Sequence, residues 1–173
     1  MRPGHEYSVR EGTDDDLERI AEIRLQTWSA TYVGLMPPEV LRPLLDLRAQ
    51  VDSLRHGMAE PDALLLVAAD SHGTVVGFAL SFLARPPDPL LESLHIVGEV
   101  QGRGVGTLLM RATAAKMKAH GHGSMHLQVI AGNTRAERFY ERLGGIAAGL
   151  EPASWAPGVW HRVYRWPDLD VLA

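Results

Sequence analysis

Three glycines at alternating positions, Gly102, Gly104 and Gly106, follow an apolar run that reads as a strand, Leu90 to Val97, and open a helical repeat of apolar residues whose first member is Val105. No other feature restricts the fold as much. A strand that turns tightly into a helix and is followed by another strand, here Ser124 to Ile130, is a βαβ unit with parallel strands. Glycines let the backbone bend and approach a ligand closely, while the first helical turn leaves its N–H groups without intrahelical acceptors. Those groups, at the positive end of the helix dipole, suit an anion. A diphosphate would meet several of them, with Arg103 as a charged neighbour. The plainer reading of the same pattern is a helix start whose glycines serve turn geometry alone.

Two better-known phosphate loops fit poorly. Counting from Gly102 and Gly104, the third glycine of a dinucleotide fingerprint falls on Thr107, and the lysine of a P-loop is absent. This argues against NAD and ATP. The chain has no cysteine, which excludes a disulfide framework, a thiolate nucleophile and sulfur-based zinc sites. His120 and His122 flank Gly121 with no third ligand nearby, so no metal is expected, and His126 reads as a strand residue. With 21 acidic and 17 basic residues spread along the chain, the net charge of −4 leaves no basic run to track nucleic acid. The length of 173 residues, 46% hydrophobic and 22% charged, predicts one domain over residues 1–173. No apolar run reaches the roughly 18 residues of a membrane helix, and Met1 to Arg10 holds no signal-peptide core. The expectation is a soluble, cytoplasmic protein.

Around the βαβ unit the pattern predicts a short first strand at Tyr7 to Arg10 and a helix opened by Thr13 and Asp16 as a capping box. Leu17, Ile20, Ala21, Arg24, Thr27, Trp28 and Thr31 recur at helical spacing to about Tyr32, before Gly34 and Pro37-Pro38. A second helical stretch is interrupted or kinked by Pro43, with Leu47, Val51, Leu54 and Met58 as its later stripe. Ala63 to Ala69 and Val75 to Leu83, joined by Asp70-Ser71-His72-Gly73, read as an antiparallel hairpin. Arg85 to Pro89 is a loop. A last helix, Thr134 to Leu143, stops at Gly144-Gly145, and two closing strands follow in the remainder through Trp166.

At this level the residues resemble the GNAT superfamily of N-acetyltransferases. Gln101-Gly102-Arg103-Gly104-Val105-Gly106 matches that family's acetyl-CoA signature, [RQ]-x-x-G-x-[GA], between its fourth strand and the next helix. Leu90 to Ile96 resembles the fourth strand, and Asn133 to Gly144 resembles the later N-x-x-A-x-x-F-Y-x-x-x-G motif. Trp28 to Leu35 and Arg162 to Trp166 are similar to small members as well, so the resemblance spans nearly the whole chain. It implies an α/β fold with a central mixed, mostly antiparallel sheet of six to seven strands flanked by helices. The parallel pair at its centre would splay. Gly145 departs from the pattern, since many members carry an aromatic or other apolar residue there.

The resemblance implies that backbone amides from Gln101 through Gly102, Arg103, Gly104, Val105 and Gly106 to Thr107 bind the CoA pyrophosphate. The pantetheine arm would pair like an extra strand with backbone around Leu94 and Ile96, and Asn133 would sit at the mouth of the wedge, a role compatible with capping the helix from Thr134. Tyr140 matches the tyrosine that many members aim at the thioester sulfur; its plainer reading is packing beside Phe139, Ala136 and Leu143.

Acetyl transfer to nitrogen needs an uncharged amine. An alkylamine of pKa ~10.4 is about 3.4 units from neutrality at pH 7, so its deprotonation costs on the order of 4–5 kcal/mol and a base is useful. Glu92 and His95 compete for that role. Glu92 shares a strand face with Leu94 and Ile96, and His95 with Ser93 and Val97, so they face opposite sides unless a bulge intervenes. Glu92 is preferred because a carboxylate can bind the incoming ammonium, although a solvent-facing Glu92 and a packed His95 would look the same in sequence. Trp28 and Tyr32, four apart on the first helix, are candidates to contact a cationic acceptor, with packing as the alternative. The expected function is direct N-acetyl transfer from acetyl-CoA to a primary amine of a small molecule, peptide or protein. A catalytically idle acyl-CoA sensor of the same fold is the alternative. Expected partners are acetyl-CoA and the amine, with a homodimer left open, and neither nucleic acid nor membrane.

Overall fold

The computed structural model describes residues 6–173; residues 1–5, half of the Met1 to Arg10 segment expected to hold no signal-peptide core, lie outside the described residues. In chain order the elements are β1 (Tyr7–Glu11), α1 (Leu17–Thr31), α2 (Pro38–Leu44), α3 (Leu47–Met58), β2 (Ala63–Asp70), β3 (Val75–Phe82), β4 (Leu90–Ile96), α4 (Val105–Ala119), β5 (Met125–Ile130), α5 (Thr134–Arg142), β6 (Ile146–Pro152) and β7 (Trp160–Trp166). The strands form one open sheet in the order β1-β2-β3-β4-β5-β7-β6. Every neighbouring pair is antiparallel except β4 and β5. The resemblance implied a mixed sheet of six to seven strands, and the sheet has seven. No helix among the described residues is long and apolar enough to cross a membrane.

Local chemistry sets the element ends. The Thr13 backbone N–H donates to Asp16 at 2.8 Å, closing the capping box, and Arg10 grips both oxygens of the same carboxylate at 2.8 Å. Pro43 does more than kink its helix: α2 ends at Leu44, and α3 starts afresh with Asp46 accepting from Ala49 N–H at 2.7 Å. In the β2–β3 turn Asp70 Oδ1 accepts from His72 and Thr74 N–H, both at 2.9 Å. Of the two closing strands, β6 begins at Ile146, directly after the paired glycines, and β7 covers the aromatic run.

β2 and β3 are buried along nearly their whole length, because helices cover both faces of the sheet, and this is why they read as continuous apolar runs. The main core gathers Ile20, Leu66, Phe78, Leu109, Met117, Tyr164 and Trp166 around these strands. A smaller cluster of Met36, Leu41, Ile130, Ala156 and Val159 ties the segment after α1 to the loop between β6 and β7.

Candidate active site

The parallel pair is held at two positions only, Leu90 opposite His126 and Leu91 opposite Leu127, after which β4 and β5 part. Beyond that point the edges of β4 and β5 that face each other have no cross-strand partner among the described residues, and an open cavity of about 920 Å³ runs along the gap. Its walls include Glu92, Ser93, Leu94, His95 and Ile96 from β4, Leu127 to Val129 from β5, and Asn133, Ala136, Phe139 and Tyr140 at α5. From α1 come Gln26, Thr27, Thr31 and the adjoining Tyr32, and from the glycine turn Gln101, Gly102, Gly104, Gly106 and Thr107.

The three glycines do different work. Gly102 and Gly104 have φ of 81° and 84°, left-handed backbone that favours glycine, and a Cβ on either would project into open space. Gly106 instead allows close packing, since its Cβ would lie 3.0 Å from Ile96 Cδ1 and from Phe139 Cζ. The helical ladder starts with Leu108 N–H donating to Gly104 O, so Val105, Gly106 and Thr107 N–H have no backbone acceptor among the described residues. That open cradle of donors fits a diphosphate. Gln101 Nε2 donates to Ile96 O at 2.9 Å and thereby fastens the turn to the end of β4. Arg103 pairs with Glu6 at 3.4 Å and Val105 is buried in the core, so neither side chain lines the cavity.

On the other side of the site a bulge decides where Glu92 points. Leu80 and Ser81 of β3 face Ser93 and Leu91, so Glu92 is the extra residue in β4. Consecutive β3 residues face opposite sides; Leu91 and Ser93 therefore do so too, and the simple alternation expected for Glu92 is broken. Instead of following Leu94 and Ile96, the Glu92 carboxylate reaches the α1 side, where Ser93 Oγ donates to it and Arg24 lies 3.4 Å away. His95 lies on that side as well, packed between Phe78 (5.5 Å between ring centroids) and Trp28 (6.4 Å). Burial, with the Arg24 charge adding to it, lowers its pKa to about 3. The imidazole is therefore neutral at pH 7 and a feeble base.

Tyr140 is buried, with its ring against Phe139, Tyr164 and Trp166 at centroid distances of 5.2, 6.2 and 6.0 Å. The core packing and the cavity-lining position hold together. Its hydroxyl has no hydrogen-bond partner among the described residues, and burial pushes the phenol pKa up, with Tyr32 raising it further. Asn133 likewise combines both expected places: it accepts from Ala136 N–H at 3.3 Å as the cap of α5 and lines the cavity. Trp28 and Tyr32 do form an aromatic pair, 5.6 Å apart, but only Tyr32 lines the cavity; Trp28 packs with the Arg24 guanidinium 5.7 Å from its ring. Burial raises the Tyr32 phenol to about 12, Arg24 opposing and Glu92 adding to the shift. Arg135 and Arg142, outside the set of residues expected at the site, also line the cavity from α5. Their signal was a basic residue on either side of Phe139-Tyr140.

The sequence and fold are similar to those of several N-acetyltransferases. The chain is 28% identical to the uncharacterized N-acetyltransferase YuaI of Bacillus subtilis over 170 residues, 95% of each chain. Its fold matches the PaiA N-acetyltransferase of Thermoplasma acidophilum, solved in complex with coenzyme A, at a TM-score of 0.74 and 19% identity over 92% of this chain and 97% of that one. A GCN5-related N-acetyltransferase of Kribbella flavida matches at 0.70 and 26% identity, over 94% and 98%. Fold and sequence thus define an acyltransferase. The chain belongs to the Acetyltransferase (GNAT) family, whose profile matches residues 17–145.

Proposed function

We propose that this chain, as one domain over residues 1–173, transfers the acetyl group of acetyl-CoA directly to a primary amine of a small molecule, peptide or protein. One observation carries the reading: the gap between β4 and β5 runs from the donor-lined glycine turn to Glu92 and Tyr140, joining a diphosphate cradle to a carboxylate and a phenol. Gly102 and Gly104 leave room for the pyrophosphate, and N–H groups from Val105 to Thr107 donate to it. Arg135 and Arg142 supply positive charge along the same cavity. Unpaired backbone around Leu94 and Ile96 suits an extended pantetheine arm, with the Ile96 carbonyl already engaged by Gln101.

Glu92 binds the incoming ammonium and takes its proton, directly or through water. His95, held neutral by burial, shapes the wall. The Tyr140 hydroxyl, protonated and without another partner among the described residues, donates to the sulfur as it gains charge. Tyr32 borders the acceptor and Trp28 backs it from behind.

The test is thiol release from acetyl-CoA across a panel of alkyl, amino-sugar, amino-acid and peptide amines, with CoA binding followed by thermal shift. Turnover with at least one amine is expected. Binding without turnover on any amine would replace the enzyme reading by an acyl-CoA sensor, and absence of both would remove the proposal.

A further inference from the structure

Arg24 lies at mid-length in α1 on the face that also carries Leu17, Ile20 and Ala21, and it is 4% exposed. A guanidinium in that position needs partners, because a buried charge left unpaired is costly. Nη1 donates to Gln50 Oε1 at 3.3 Å, and Gln50 is itself anchored by donating to Leu44 O at 2.7 Å. Nη2 donates to Ser93 Oγ at 2.8 Å and to Glu92 Oε2 at 3.4 Å. Ser93 Oγ then donates to the same Glu92 oxygen.

Both donors therefore converge on Oε2, and Oε1 has no protein donor among the described residues. The residue they hold is the extra one of the bulge, outside the β3 ladder, with a side chain 41% exposed at the cavity. A glutamate so placed would otherwise sample several rotamers.

We infer that Arg24, acting through Ser93, is the positioning residue for Glu92: it clamps Oε2 and leaves Oε1 free to receive the proton of the acceptor amine. The inference rests on the reading of Glu92 as the base. It assigns the one buried charge on the core face of α1 a place in the reaction, because a clamped carboxylate keeps its proton-accepting oxygen in one position from turnover to turnover.

A double-mutant cycle separates this from a purely structural role. With the fastest amine of the panel, Glu92→Gln is expected to lower kcat by ~10²-fold or more, and Ser93→Ala or Arg24→Lys by about tenfold, with KM for acetyl-CoA unchanged. In the Glu92→Gln background, Ser93→Ala should change kcat by less than about twofold, because the group it positions is gone. Crystal structures of Ser93→Ala and Arg24→Lys should show the Glu92 carboxylate spread over several rotamers. Multiplicative losses in the cycle, or a single unchanged Glu92 rotamer in both variants, would overturn the inference. Full activity in Glu92→Gln would instead remove the assignment of the base, and the inference with it. Were no amine turned over, the transfer reading would fail, and the crystal structures would still decide whether Arg24 and Ser93 position Glu92.

Discussion

The indole of Trp166 fills the volume that a side chain on Gly145 would need: a Cβ at that glycine would lie 2.7 Å from Trp166 Cζ2 and 2.9 Å from Tyr140 O. Trp166 is 1% exposed, and its Nε1 donates to Leu143 O at 3.0 Å, so it cannot move aside without losing both packing and a hydrogen bond. The departure from the family pattern at position 145 is thus compensated from β7. Gly145→Ala is expected to overpack this contact and destabilise the fold by about 2 kcal/mol. Urea unfolding would register it as a lower midpoint at an unchanged slope, and an unmoved midpoint would contradict the packing argument.

At the glycine turn the consequences of substitution fall on the ligand. Gly104 has φ of 84° and its missing Cβ faces open space, so Gly104→Val places a branched side chain in the cradle and adds backbone strain of about 1–2 kcal/mol. Calorimetric titration with CoA should show affinity lost beyond measurement in a variant that remains folded by circular dichroism. Undiminished affinity would mean that the diphosphate lies elsewhere.

What the sequence disclosed, and what it withheld, follows from where each feature is encoded. The capping box of Thr13 and Asp16, the Asp70–Gly73 turn and the glycine junction before α4 depend on neighbouring residues, and each stands where the pattern predicts. The bulge at Glu92 depends on the register of β4 against β3, which no local pattern in β4 records, and so the side of the strand on which the Glu92 side chain lies is not legible in sequence. Arg24 was partly legible: a charge at an apolar position of a helical repeat signals a buried partner. Naming Ser93 and Glu92 as that partner requires the packing of α1 on β4. Gly106 reads in sequence like Gly102 and Gly104, and only the proximity of Ile96 and Phe139 separates its packing role from theirs.

Tyr140→Phe keeps the ring contacts with Phe139, Tyr164 and Trp166 and removes only the hydroxyl. CoA affinity and thermal stability should be preserved, while kcat falls by up to ~10²-fold through loss of the hydrogen bond to the leaving sulfur. Because burial raises the phenol pKa, Tyr140 stays protonated through neutral and mildly alkaline pH, so the wild-type rate should show no alkaline decline from this residue. A kcat equal to wild type would reject the donor role.

His95 gives the fold a dependence on acid. Its pKa is about 3 in the folded chain, because the ring is buried beside Phe78 with the Arg24 cation nearby, against about 6.5 for an unfolded histidine. Between those values the unfolded chain binds a proton that the folded chain refuses, so this residue leaves stability intact above about pH 6.5 and erodes it as pH falls toward 3. The loss amounts to roughly 2 kcal/mol by pH 5. His95→Leu removes the titrating group while keeping an apolar side chain against Phe78. Its unfolding free energy, measured in urea at pH 7.5 and at pH 5, should therefore drop by about 2 kcal/mol less than that of the wild type. Equal drops in the two proteins would show that the imidazole reaches water and titrates normally in the fold.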